Sequence, residues 1–181
     1  MQVLHERGFA GSSVRDVIQA AGVPQGSFTN HFASKEAFGV EVLNAYYLQC
    51  SGLTQETLRN DDLSPLLRLR QWVDGMLGVM NKDGEWNGCM LGNFGTEHSE
   101  GTDRLQERVR EIFLDLQSQI AYCVKAAVKG GELPKQTDVG GMASFIHSSL
   151  EGAVLTARAV RSRKPMEAFR KILFDAVLVA R

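Results

Sequence analysis

Residues 12–35, SSVRDVIQAAGVPQGSFTNHFASK, constrain this chain more than any other stretch. Val14, Val17, Ile18 and Ala21 recur at i, i+3, i+4 and i+7, one face of an α-helix. Ser13 precedes Asp16 by three positions, the spacing of a capping box with a short acid in place of Glu. Gly22 suits the left-handed residue that ends a helix. Pro24 is expected to open the next helix at its first position, where a missing N–H costs nothing. Phe28 and Phe32 share a face of that second helix. Its other face carries Gln25, Ser27, Thr29, Asn30 and His31, all able to make hydrogen bonds. Two short helices joined by a tight turn, the second presenting polar side chains, make a helix-turn-helix. The second helix of that motif enters the DNA major groove.

Several short signatures surround this motif in a fixed order: Gly8-Phe9, Ser12-Ser13, Ala21-Gly22-Val23, Gly26-Ser27, His31-Phe32 and Ser34-Lys35-Glu36. In these, residues 8–43 resemble the DNA-binding domain of the TetR family of bacterial transcriptional repressors. The resemblance implies an all-α protein of about nine helices. It implies a helix-turn-helix domain over 1–46 and an effector-binding and dimerisation domain over 47–181. The last two long helices would pair with their mates across a twofold axis, giving a homodimer through residues 139–179. The implied partners are a near-palindromic double-stranded operator and a small-molecule effector.

Two departures stand out. The family usually carries an aromatic residue, often Tyr, where this chain has Thr29, which puts one phosphate contact in question. The family's first helix also starts well upstream of Gly8 behind a basic arm, so the natural N-terminus is expected to extend beyond Met1. Charge agrees with this. Residues 1–48 hold Arg7, Arg15 and Lys35 against Glu6, Asp16, Glu36 and Glu41, a poor balance for phosphate neutralisation. The whole chain of 181 residues has a formal net charge of −1, so composition alone would not suggest DNA.

The expected reading face is Gln25, Gly26, Ser27, Thr29, Asn30 and His31. Asn and Gln can read adenine bidentately, and Ser or Thr can serve several bases. Ser12, Ser13 and Lys35 are the expected phosphate contacts. Downstream, Ser34 should cap a long helix that carries Phe38, Val42, Ala45 and Tyr46 to about Leu58, and Ser64-Pro65 should open the next. Gly88, Gly92 and Gly95 break the pattern, leaving a short helix from about Met90 to Glu97. From Asp103 to Lys129 the apolar period of 3.6 holds throughout. Asp138 should cap a helix to about Arg161. Pro165 should open a last one whose apolar face holds Met166, Phe169, Ile172, Leu173, Ala176 and Val177.

An effector cavity is expected among Trp72, Met76, Met80, Trp86, Cys89, Met90, Phe94, Phe113 and Phe145, with His98 and His147 as polar contacts. Ligand sites are mostly apolar with a few placed polar groups. The three cysteines, Cys50, Cys89 and Cys123, lack CxxC spacing. That argues against a disulfide scaffold or zinc finger and fits a reducing cytoplasm. Glu97, His98, Glu100 and Asp103 lie close in sequence without known ligand spacing, so no metal is expected. Nor is a catalytic motif or a cofactor. No apolar run is long enough to span a membrane.

Two other functions fit the residues. One is a thiol-based redox or electrophile sensor acting through Cys89, set among glycines that let a ligand approach. The other is a helical small-molecule-binding protein without DNA function.

Overall fold

The computed structural model describes residues 1–79, 86–97 and 101–179. Among these the chain forms nine α-helices and no strand: α1 (Gln2–Arg7), α2 (Val14–Ala21), α3 (Gln25–His31), α4 (Lys35–Glu56), α5 (Pro65–Val79), α6 (Met90–Gly95), α7 (Asp103–Lys129), α8 (Val139–Val160) and α9 (Lys164–Ile172). A π-helical turn, Leu173–Val177, continues α9. The fold class is all-α, as the periodicities require.

Helix ends follow the local chemistry. Ser13 and Asp16 form the full reciprocal capping box on α2, and Gly22 ends it with φ 65° and ψ 28°. Ser34 Oγ accepts the Ala37 N–H at 3.0 Å to start α4, and Asp138 Oδ1 accepts the Gly141 N–H at 3.0 Å to start α8. Pro24 corrects the expectation. It is the residue before α3, extended at φ −62° and ψ 150°, so Gln25 is the first helical position. The ring fixes φ but leaves ψ free, and the extended well suits a cap.

The residues separate into two compact units, Met1–Gln49 with Cys89–Ile112 and Cys50–Gly88 with Phe113–Arg181. The helix-turn-helix therefore shares its unit with α6 and the first turns of α7, which the sequence had grouped with the effector domain. In this unit Phe28, Phe32 and Phe38 form an aromatic cluster with ring centroids 4.9–5.4 Å apart. Phe9 meets Phe94 edge-on at 5.8 Å. Gly39 keeps α4 close to both Phe9 and α7: a Cβ there would lie 2.7 Å from the Phe9 ring and 3.0 Å from Leu105. Glu36 does not serve its own helix alone. Its Oε1 accepts the Arg104 and Leu105 N–H groups at 2.7 and 3.3 Å, capping α7.

The second unit buries Leu58, Leu69, Trp72, Val73, Ile120, Val124, Ile146, Leu150 and Leu173. Arg68 is buried with them. Its Nε donates to the Leu63 carbonyl at 2.7 Å, and its guanidinium pairs with Asp61. Tyr122 donates its hydroxyl to the same carboxylate at 2.9 Å, and these partners, Tyr122 first, hold Asp61 below the usual carboxyl range. On α9 and the π-helical turn that continues it, Met166, Leu173 and Phe174 are buried, but Ile172 is 58% exposed and Ala176 is exposed too. The expected single face is thus divided, because 3.6 residues per turn separates positions 172 and 176 from 166 and 173.

Candidate functional site

On α3, Phe28 points into the unit while Gln25, Gly26, Thr29, Asn30 and His31 are exposed and Ser27 is half-exposed. The aromatic residues at 28 and 32 fix which side of the helix is inside, so the polar residues have no choice but to face out. Thr29 Oγ1 donates back to the Gly26 carbonyl at 3.1 Å, and both its acceptor lone pairs stay available. The six expected reading residues are thus exposed or half-exposed along α3.

The three expected phosphate contacts are placed differently. Ser12 is 2% exposed, and its hydroxyl donates to the Gly8 carbonyl at 2.7 Å, with Val3 O at 3.3 Å. It ties the start of α2 to α1 and is turned away from solvent. Ser13 is exposed, but its Oγ accepts the Asp16 N–H at 3.1 Å and donates to the Asp16 carboxylate. These bonds, with the Ser13 N–H, hold the Asp16 carboxyl below its ordinary range, and Arg7 at 3.2 Å adds to the effect.

Lys35 is engaged within the unit. Its Nζ donates to the Phe9 carbonyl at 2.6 Å and sits 4.3 Å over the Phe9 ring. Desolvation lowers its pKa, opposed by the nearby Glu97 and Asp16 carboxylates. This ammonium is a strut that fastens the α1–α2 loop to the start of α4. The same loop is held from the other side, where Glu97 Oε2 accepts the Ala10 N–H at 2.5 Å. Gly8, at φ 77° and ψ 171°, makes room for that carboxylate. Sequence reading missed both Glu97 and Gly8 as a pair, because no periodic signal links positions so far apart. It also passed over Arg15, which is exposed on α2 with no ion pair among the described residues.

The expected effector residues fall in both units. Cys89, Met90 and Phe94 belong to the unit of the helix-turn-helix, all buried. Trp72, Met76, Trp86, Phe113, Phe145 and His147 belong to the other. Trp72, Met76 and His147 are buried there, and Trp86 and Phe113 are half-buried. Phe145 departs from the expectation: it is 47% exposed and lies in an open groove with Pro134, Met142 and Val177. Its position on α8 is one residue from the buried Ile146, which turns it to the outer side. Met80 and His98 lie outside the described residues. Phe113 meets His147 edge-on at 4.9 Å, and Gln117 Nε2 lies 3.4 Å from His147 Nδ1. Burial alone pushes the His147 imidazole pKa down. The described residues contain no group of three or more His, Cys, Asp or Glu able to hold a metal ion, and no described helix is long and apolar enough to cross a membrane.

Comparison with known proteins agrees with this arrangement at both ends of the chain. Residues 1–42 match the family described as bacterial regulatory proteins, tetR family. Residues 65–173 match the tetracyclin repressor-like C-terminal domain. The chain is 33% identical to the HTH-type transcriptional repressor DhaR of Mycobacterium sp. strain GP1, over 98% of this chain and 87% of that protein. It is 28% identical to the transcriptional regulator AcuR of Cereibacter sphaeroides, over 94% and 78% respectively. The crystal structure of the regulatory protein TetR from Rhodobacter sphaeroides superposes with a TM-score of 0.87 at 28% identity, covering 94% of this chain and 90% of that one. With an exposed polar recognition helix at one end and matched domains along its length, the chain belongs to the TetR family of DNA-binding bacterial transcriptional regulators.

Proposed function

We propose that the protein is a cytoplasmic, homodimeric repressor, released from a near-palindromic operator when a small molecule binds within residues 47–181. The observation that carries the proposal is the α3 surface: a helix inside a helix-turn-helix whose every outward side chain is a hydrogen-bonding group. Residues 1–46 act as the reading domain, with Gln25, Asn30 and His31 toward base edges and Ser27, Thr29 and Arg15 toward phosphates. Lys35 and Ser12 act on DNA only through the shape of the α1–α2 loop. The repressor sense follows the name of the 33% identical relative.

The dimer rests on α8 and α9, where Leu155, Val160 and Ile172 are 57–59% exposed. Apolar side chains gathered on two helices suit an isologous interface. Trp72, Met76, Phe113 and His147 are the effector contacts. Helix α4 runs through both compact units, and effector binding acts by favouring an α4 position that mis-spaces the two reading heads. A ligand that prefers that state draws the population away from DNA.

Fluorescence anisotropy with duplexes selected from a random pool tests the proposal. Selection should yield half-sites about one helical turn apart, or a multiple of it. Asn30→Ala should relax base preference by about 1–3 kcal/mol at one position. Arg15→Ala should weaken binding to all sequences and flatten the salt dependence by about 1.8 in log–log slope for the dimer, about 0.9 for each of its two Arg15 phosphate contacts. Absence of any sequence-preferring, salt-dependent binding would overturn the regulator reading in favour of a helical ligand-binding protein without DNA function.

A further inference from the structure

Two buried side-chain nitrogens among the described residues have no hydrogen-bond partner: Trp72 Nε1 and His147 Nε2. Both lie in the second compact unit, on α5 and α8. Trp72 is 1% exposed and His147 4%. Buried polar atoms in folded proteins are paired in the great majority, so two orphans in one unit require a reason.

Their chemistry can be read from their neighbours. An indole nitrogen only donates. The imidazole is less obvious, since either nitrogen can carry the proton. Here Gln117 Nε2 lies 3.4 Å from His147 Nδ1. With the Gln117 amide oriented this way its nitrogen donates, Nδ1 accepts, and the proton of the neutral ring is assigned to Nε2. The edge-on Phe113 ring at 4.9 Å holds the imidazole plane. Burial disfavours the imidazolium, so the ring is neutral. Both orphans are therefore N–H donors facing no acceptor. Leaving each unpaired is unfavourable, which makes an acceptor the group this unit lacks.

The geometry points to the chemical class of the effector: an uncharged molecule with an apolar body and a carbonyl-type oxygen, which takes a hydrogen bond from His147 Nε2–H, with Trp72 Nε1–H as a further donor in the same unit. This inference rests on the effector reading above. A carboxylate fits less well, because a buried anion needs a compensating cation, and Gln117 and Phe113, the described partners of His147, carry no charge. The apolar body matches the company these donors keep. Met76 follows Trp72 by one turn on α5, and Phe113 flanks His147. A site built to donate to an oxygen strongly disfavours an analogue that lacks it, because its own donors are then left bare.

The test uses the full chain labelled with ¹⁵N-histidine. Long-range proton–nitrogen correlation at pH 7, with His147 assigned from the His147→Phe spectrum, should show a neutral ring protonated at Nε2. A ring protonated at Nδ1, or an imidazolium, overturns the inference without any ligand. The protein is then titrated with acetone, cyclohexanone and acetophenone, each against the hydrocarbon in which =CH2 replaces =O. At least one ketone should shift the His147 Nε2 resonance and bind about tenfold or more tightly than its hydrocarbon match. His147→Phe should abolish that preference while leaving hydrocarbon binding in place, and Trp72→Phe should reduce it. Equal binding of every ketone and its match, or no movement of the Nε2 resonance with any of the three, overturns the inference. Operator binding measured on the same samples separates the two readings. Intact DNA binding without ketone preference removes this inference alone, and lost DNA binding in the unsubstituted protein removes the regulator reading.

Discussion

Replacing Gly8 by Ala should destabilise the reading-head unit through one carboxylate, and a double-mutant cycle can show it. Gly8 sits at φ 77° and ψ 171°, a region that is essentially glycine's alone and costs another residue about 1–3 kcal/mol. An added Cβ would lie 2.1 Å from Glu97 Oε1, well inside any tolerable contact. The carboxylate must therefore leave, and with it goes the 2.5 Å bond from the Ala10 N–H to Glu97 Oε2. A charge-assisted bond contributes about 1.5–3 kcal/mol in general, with the lower end suited to an exposed amide. Gly8→Ala should then cost about 2.5–4.5 kcal/mol in total, and Glu97→Ala about 1.5 kcal/mol alone. Since the first substitution already expels the carboxylate, the double variant should be no worse than Gly8→Ala. The coupling is thus about −1.5 kcal/mol, independent of the strain term. Urea unfolding followed by far-UV circular dichroism measures all four corners. Additivity within about 0.5 kcal/mol would refute the argument that one carboxylate joins the two sites.

Other outcomes follow from single contacts. Ser13→Ala should lower stability by about 0.5–2 kcal/mol at neutral pH through loss of the α2 cap. Because the folded Asp16 pKa lies below its unfolded value, its contribution is present above the ordinary carboxyl range and is lost as pH falls through the folded pKa. Ser13→Ala should therefore flatten the acid limb of the urea-midpoint profile, and an unchanged limb would contradict the capping box. Leu155→Glu should convert the dimer to a monomer by light scattering, since a charge would be buried in an interface expected to exceed roughly 1,000 Å². A monomeric unsubstituted protein at micromolar concentration would rule that interface out. Limiting iodoacetamide should label Cys50 first, as it is half-exposed while Cys89 and Cys123 are buried. Cys123 should be the slowest, with its thiol pushed up to about 11 by burial and its Sγ donating to the Pro65 carbonyl at 3.1 Å. Faster labelling of Cys89 would favour the thiol-sensor alternative.

The helices were legible because their signals are local. The capping box at Ser13 and Asp16, the left-handed Gly22, and Asp138 before α8 each act within four residues, and each stands where the sequence puts it. Helix α7 keeps one apolar period from Asp103 to Lys129 and was readable end to end. What the periodicity could not give is which compact unit claims a helix. Helix α6 joins the reading head through Phe94 against Phe9 and Glu97 against Ala10, and nothing within six residues of α6 states that. The same limit explains Glu36, whose place in the first turn of α4 predicts a dipole role but not that it caps α7.

For the candidate site the division is between groups that face out and groups that are already engaged. The α3 face was readable because Phe28 fixes the inside, and every polar residue opposite it follows. The phosphate contacts were not, since a hydroxyl or an ammonium has the same name whether it meets solvent or a carbonyl. Ser12 meets Gly8 O and Lys35 meets Phe9 O, so both are engaged before DNA arrives. On the proposed reading the electrostatic task falls to Arg15, which sequence alone cannot distinguish from Arg7, held by Asp16. It also changes what Lys35→Ala should do. Removing the strut frees the Phe9 carbonyl and loosens the α1–α2 loop, so the expected loss appears first in stability. On the proposed reading, the salt slope of DNA binding should stay close to that of the unsubstituted protein, because slope counts phosphates neutralised and that reading assigns none to Lys35.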